Sequence, residues 1–238
     1  MKCLILASGF GTRLYPLTIY RAKGLLEYKG KALISHIVDK IPQDVDILVN
    51  TNKKFEADFC NWQHTINREV TLCVEPVFTE EQSFGAIGAL AYWIRAKNIT
   101  DDLLVIASDN YFEFDMSRFI DAYNNKNTMV AVYDISDKGK ASQFGVVQLD
   151  GHKVIELQEK PTEPECSLIA TACYVFPQRI FPLLFQYCSE HKRDNLGNFI
   201  SYLIKNDEVH AHIFTELWLD VGSIETYESI QQVSGDQC

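Results

Sequence analysis

A chain of 238 residues, 47% of them hydrophobic, can bury a sizeable core as one α/β domain. Its formal charge of -10 and pI near 5.1 exclude nucleic-acid polymers and anionic membrane surfaces as partners, because a broad negative field repels both. The seven cysteines form no Cys-x-x-Cys pair and mostly sit in apolar runs, which points to reduced core thiols and a cytoplasmic setting rather than to zinc ligands or disulfides.

The first apolar run, residues 2–7, reads as a short strand, too brief for a signal-peptide core or a bilayer span. It breaks into Ser8-Gly9-Phe10-Gly11-Thr12-Arg13, a glycine-rich basic loop. Glycine lacks a Cβ, so the backbone there can bring its N–H groups close to phosphate oxygens, while Arg13 and the following Lys23 supply fixed positive charge. Further strands are expected at 46–51, 71–75, 103–107 and 128–134, alternating with helical patterns at 33–41, 55–66, 85–96 and 116–124. Beyond Phe144 the texture turns to α+β. Runs 145–149 and 153–158 flank the hairpin signal Asp150-Gly151, and 169–176 reads as another strand. Helices follow at 180–188 and 198–204, a strand at 209–214 and a helix at 224–233. The expected architecture is a three-layer α/β/α, Rossmann-like domain with a mixed, mostly parallel sheet. It would have one nucleotide-binding half at about 1–143 and a second half at about 144–238 that builds a lid.

The loop fits neither common phosphate fingerprint. A dinucleotide motif would need glycine where Leu14 stands, and a P-loop would need a Gly-Lys-Ser/Thr ending. The run Ala7-Ser8-Gly9-Phe10-Gly11-Thr12-Arg13-Leu14, continued by Pro16-Leu17-Thr18 and Lys23, instead resembles the signature of the sugar-phosphate nucleotidyltransferases, or nucleotide-sugar pyrophosphorylases. Ala22 and Gly24 replace that family's usual neighbours of the lysine. The resemblance runs on in order. Phe84-Gly85-Ala86-Ile87-Gly88 is similar to the nucleobase-lining segment, and Ser108-Asp109-Asn110 to a Gly-Asp-Asn metal motif. Phe144-Gly145-Val146-Val147 and Glu159-Lys160-Pro161 resemble the sugar-side strand and its signature, and Trp218-Leu219-Asp220-Val221-Gly222-Ser223 the element with the second metal-binding aspartate. Asp194-Asn195-Leu196-Gly197 stands where many members have Glu-Leu-Glu-Ile-Thr-Asp, and matches it poorly.

The resemblance implies a sheet of the nucleotidyltransferase type, whose lid binds sugar, and the joining of an NTP to a sugar 1-phosphate, glucose 1-phosphate with dTTP or UTP foremost. Such a reaction is chiefly a problem of charge repulsion, and Arg13, Lys23 and Lys160 would each meet a separate anion, with Mg²⁺ held by Asp109 and Asp220. Ala7, Ser8, Gly9, Gly11 and Thr12 would complete the nucleotide loop, with Gln82 and Gly85 at the base; Glu159, Gly145, Thr171, Asn110 and Trp218 would serve the sugar phosphate. Many relatives are dimers or tetramers, which leaves homo-oligomerisation open.

Three other functions compete. A cytidylyltransferase activating phosphocholine would need a pocket for a cationic head, and Glu159-Lys160-Pro161 leans toward sugar. A silent nucleotide-sugar-binding regulatory domain need not keep Arg13, Lys23, Asp109, Lys160 and Asp220 together. A metal-dependent glycosyltransferase should carry Asp-x-Asp where Asp109-Asn110-Tyr111 stands. Each residue also has a plain structural reading: Asp109 and Asp220 as turn residues, Glu159 and Lys160 as a solvated pair.

Overall fold

The computed structural model describes residues 1–235. In chain order the elements are β1 (Lys2–Leu6), β2 (Glu27–Tyr28), β3 (Lys31–Ala32), α1 (Leu33–Lys40), β4 (Asp46–Asn52), α2 (Glu56–Gln63), β5 (Thr71–Glu75), α3 (Ala86–Ala96), β6 (Leu103–Ala107), β7 (Asn110–Phe112), α4 (Met116–Asp121) and β8 (Thr128–Asp134). Then come α5 (Lys138–Ala141), β9 (Gly145–Asp150), β10 (Lys153–Glu159), β11 (Leu168–Phe176), α6 (Phe181–Glu190), α7 (Leu196–Asn206), β12 (Val209–Phe214), β13 (Trp218–Asp220) and α8 (Ile224–Gly235). The chain divides into two compact, interleaved units: one holds Cys3–Ser83, Ala107–Glu113 and the chain from Leu217 on, the other Met1–Lys2, Phe84–Ile106 and Phe114–Glu216.

In the unit that starts at Cys3, strands run in the order β5-β4-β1, and β4 pairs with β5 in parallel from Leu48↔Thr71 to Asn52↔Glu75. Cys3, Leu4 and Ile5 are fully buried, as expected of a strand with apolar residues facing both ways. Two short antiparallel pairs accompany it, β2 with β3 and β7 with β13. A second apolar cluster joins Leu14, Leu26, Tyr28, Leu33, Tyr111, Val221 and Ile230, so α8 packs under the phosphate-loop turn. Tyr227 Oη and Gln231 Nε2 of α8 both donate to the Glu27 carbonyl, at 2.9 and 2.5 Å.

In the other unit the strand order is β6-β11-β8-β12-β10-β9. Here the expectation of a mostly parallel sheet needs correction: among the described pairings of this unit only β8 with β12 is parallel. The cause is connection length. The Asp150-Gly151 turn, with Gly151 at φ 59°, folds β10 straight back on β9, and β11 enters antiparallel between β6 and β8. Of the stretch from about 144 on, expected to build a lid, β9, β10, β11 and β12 are members of this sheet. α7 starts at an Asn195 cap whose side chain accepts from Gly197 N at 2.6 Å, and its apolar face buries Leu196, Phe199, Ile200 and Leu203.

Cys3, Cys73 and Cys173 are buried in strands β1, β5 and β11, as core-filling thiols should be; Cys238 lies outside the described residues. Among the described residues no helix is long and apolar enough to cross a membrane.

Candidate active site

The phosphate-type loop is built by alternation. Ala7 N donates to Asn50 O at 2.9 Å and Asn52 Nδ2 to Ser8 O at 2.7 Å, extending β1 along β4. Phe10 then turns inward against Phe55, ring centroids 6.2 Å apart, and leaves Gly9 exposed with nothing within 4 Å of where a Cβ would lie. Gly11 takes φ 64°, and the Thr18 hydroxyl closes the loop on the Gly11 carbonyl at 2.7 Å. A 3-10 turn at Thr12–Leu14 follows, anchored by the buried Leu14, so Thr12 and Arg13 are carried on its exposed side. Thr12 Oγ1 donates to Glu80 at 3.3 Å. Gln82 closes a capping box, its carboxamide oxygen accepting from Phe78 N and Thr79 N, so only its NH₂ remains to donate.

Lys23 opens a second 3-10 turn, Lys23–Leu25, and its ammonium lies 2.8 Å from Asp109 Oδ2, with side chains 12% and 29% exposed. Gly24 makes room for this. A Cβ there would lie 2.9 Å from Ser108 Oγ, so the serine that replaces the motif's glycine is matched by glycine across from it. Asn110 Nδ2 donates to Asp109 Oδ1 at 2.9 Å, and its Oδ1 accepts from Trp218 Nε1 at 2.7 Å. Burial opposes ionisation of Asp109, but the charge and hydrogen bond of Lys23, aided by the charge of Arg13, outweigh it and hold the carboxyl below its ordinary value.

Asp220 is directly opposite Asn110 in the β7–β13 ladder, and Val221 N donates to Asp109 O at 2.9 Å, so the two candidate metal aspartates lie on adjoining backbones. The Asp220 carboxylate folds toward Gly222, where a Cβ would come within 2.5 Å of Oδ2. Among the described residues no group of three or more His, Cys, Asp or Glu could enclose a metal. Two carboxylates nonetheless suit Mg²⁺, which takes one or two from protein and completes its shell with phosphate oxygens and water.

Glu159, Lys160, Gly145, Thr171 and Gly85 belong to the other unit. Glu159 ends β10 opposite Gly145, which begins β9, and Lys160 N donates to Phe144 O at 3.0 Å. Lys160 itself has φ 49°, a left-handed conformation that a non-glycine residue holds only where surroundings enforce it. Thr171 is buried and donates its hydroxyl hydrogen to Ala131 O at 3.0 Å, in a stretch of β11 where the register on β8 shifts, so its hydroxyl oxygen can still accept and its backbone can still serve a ligand. Gly85, at φ 70°, caps α3, and a Cβ on it would lie 2.6 Å from Arg193 O, which already accepts from Ile87 N at 2.8 Å.

Asn110 and Trp218, expected on the sugar phosphate, are both buried, 3% and 7% exposed, and bonded to each other, with Asn110 bonded to Asp109 as well. That chain of bonds was not visible in the sequence, although both residues stood inside the motifs that bring the aspartates.

A family model described as Nucleotidyl transferase matches residues 2–236. The chain is 32% identical to the bifunctional protein GlmU of Methanocaldococcus jannaschii over 93% of its own length and 51% of that protein's. It is 26% identical to a protein assigned as a mannose-1-phosphate guanyltransferase of Sulfolobus acidocaldarius, over 97% of this chain and 62% of that one. It therefore spans only about half to three fifths of these two curated relatives. A crystal structure of a chain assigned as a glucose-1-phosphate thymidylyltransferase of Bacillus anthracis, in complex with sucrose, superposes with a TM-score of 0.84 at 26% identity, covering 100% of this chain and 96% of that one.

Proposed function

Because the chain belongs to the nucleotidyl transferase family, we propose that it is one nucleotidyltransferase domain joining an NTP, dTTP or UTP, to a sugar 1-phosphate, with glucose 1-phosphate foremost. The observation that carries this reading is the Lys23–Asp109 pair, with Asp220 on the adjoining strand and the glycine loop before it. A basic loop alone binds phosphate; a part-buried lysine on one carboxylate, with a second aspartate on the adjoining backbone, can also neutralise a triphosphate during transfer.

The attacking phosphate monoester is largely ionised near neutral pH, its second pKa being about 6, so no general base is needed. One of its oxygens forms the new bond to the α-phosphorus, and the bond to the bridging oxygen breaks as pyrophosphate leaves with the electron pair. Arg13, exposed on its turn, holds the departing β and γ phosphates, and Lys23 meets charge growing at the α-phosphate. Gly9 and Gly11 offer backbone N–H groups, and Gln82 offers the base the NH₂ of its carboxamide. In the sugar half Lys160 pairs with the sugar phosphate, while Glu159 and the backbone of Gly145 and Thr171 receive the ring. Mg²⁺, held by Asp109 and Asp220, would supply Lewis-acid neutralisation of phosphate oxygens. The acidic chain and its free cysteines support a cytoplasmic setting.

The Bacillus anthracis protein's name supports thymidine and glucose, whereas that of the Sulfolobus acidocaldarius protein carries guanine and mannose. The test is a pyrophosphate-release matrix of ATP, CTP, GTP, UTP and dTTP against glucose, galactose, mannose and N-acetylglucosamine 1-phosphates and phosphocholine. Release with a hexose 1-phosphate supports the proposal. Release confined to CTP with phosphocholine, or none at all, overturns it.

A further inference from the structure

The Glu159 carboxylate is gripped between two glycines. Its Oε2 lies 3.2 Å from where a Cβ would stand on Gly145, and a Cβ on Gly197 would meet the same oxygen closer than real Cβ atoms come. Leu157 Cδ2 closes the slot, 3.3 Å from both positions. Neither glycine has a positive φ, so backbone conformation does not demand glycine at either place. Gly197 is moreover the second residue of α7, where alanine would be the better helix former.

The helix cannot back away to accommodate a methyl group. Ser201 Oγ donates to Leu157 O at 2.7 Å, tying the first turns of α7 to β10, and Asn195 Oδ1 holds Gly197 N. This is also the segment, Asp194-Asn195-Leu196-Gly197, that departs from the family's pattern. We propose that Gly197, seconded by Gly145, is a positioning residue: it leaves the space that sets the Glu159 carboxylate at the angle needed to accept hydrogen bonds from sugar hydroxyls. The inference rests on Glu159 being the sugar acceptor.

The test compares Gly197→Ala, Glu159→Ala and the double variant, using whichever NTP and hexose 1-phosphate of the matrix release pyrophosphate fastest. Gly197→Ala should raise KM for the hexose 1-phosphate about tenfold, the scale of one misplaced charge-assisted hydrogen bond. KM for the NTP should hold, and Tm should stay level or rise, which a merely structural glycine does not explain. In the Glu159→Ala background the same change should add nothing further. An unchanged KM for the sugar phosphate in Gly197→Ala, or an equal rise in both backgrounds, overturns the inference and leaves the sugar role of Glu159 standing. If Glu159→Ala itself leaves that KM unaltered, or no pair is turned over, the functional reading falls and takes the inference with it. Should Gly197→Ala fail to fold, Gly145→Ala presses the same oxygen less severely; a raised sugar-phosphate KM sustains the slot, and an unchanged one overturns it.

Discussion

Asp109 is held by a cation on one oxygen and an amide on the other, and that arrangement defines what each neighbour should do when removed. In the proposed mechanism Lys23 meets charge at the transition state, so Lys23→Met should lower kcat roughly 10² to 10³-fold, the usual cost of losing one such group. Asp109→Asn and Asp220→Asn should abolish pyrophosphate release while leaving circular dichroism unaltered; near-normal turnover in saturating Mg²⁺ would count against both as metal ligands. Trp218→Phe acts one bond further out. It strands the buried Asn110 Oδ1 without its donor, which should cost about 1–3 kcal/mol in urea denaturation and loosen Asp109 as well. The motifs bearing Arg13, Lys23, Asp109 and Asp220 were legible because each is a local run with its own chemistry. The Trp218–Asn110 bond was not, because it joins residues 108 apart and neither run names its partner.

The elements that bring the two aspartates together are among the shortest in the chain. β7 and β13 have three residues each, too few to show a period of two, and they exist because each satisfies the other's backbone. The longer strands were expected nearly as found, since runs such as Leu103–Ala107 and Thr128–Asp134 are bounded by turn residues and rich in aliphatic side chains. Two element-scale consequences follow from packing. Gly222→Ala would drive a methyl group into Asp220 Oδ2, so the Mg²⁺ concentration for half-maximal rate should rise about tenfold, as when a group supporting a metal ligand is lost; an unaltered Mg²⁺ titration would contradict the placement of Asp220. Ile230→Ala opens a cavity in the cluster that also contains Leu14, and should cost about 2–5 kcal/mol in chemical denaturation. Because Leu14 anchors the turn that carries Arg13, KM for the NTP should rise with it.

At the scale of the whole molecule, the α/β class was legible from alternation, but strand direction was not. A run such as 168–176 looks the same whether it joins its neighbours parallel or antiparallel, and pairing on both β6 and β8 decided for antiparallel. Stability against pH is likewise a property of both compact units, because each holds one histidine whose proton affinity folding lowers. His36 is lowered chiefly by burial, against a bond to Tyr28 O that works the other way, and His212 chiefly by burial, partly offset by Glu216. In the unfolded chain both bind protons near the ordinary value of 6.5, whereas the folded chain resists until lower pH. Stability from these two sites is therefore complete above 6.5 and is lost as pH falls below it, with a slope of at most about 1.4 kcal/mol per pH unit for each histidine. The carboxyls that folding lowers, Asp109 and Glu208 among them, act in a separate and more acidic window, because their ordinary values are 3.8 and 4.5. Thermal denaturation between pH 8 and pH 5 should show Tm declining below 6.5 in the natural chain and a flatter profile in the His36→Gln/His212→Gln variant; parallel profiles would mean that burial at these two rings does not govern the decline.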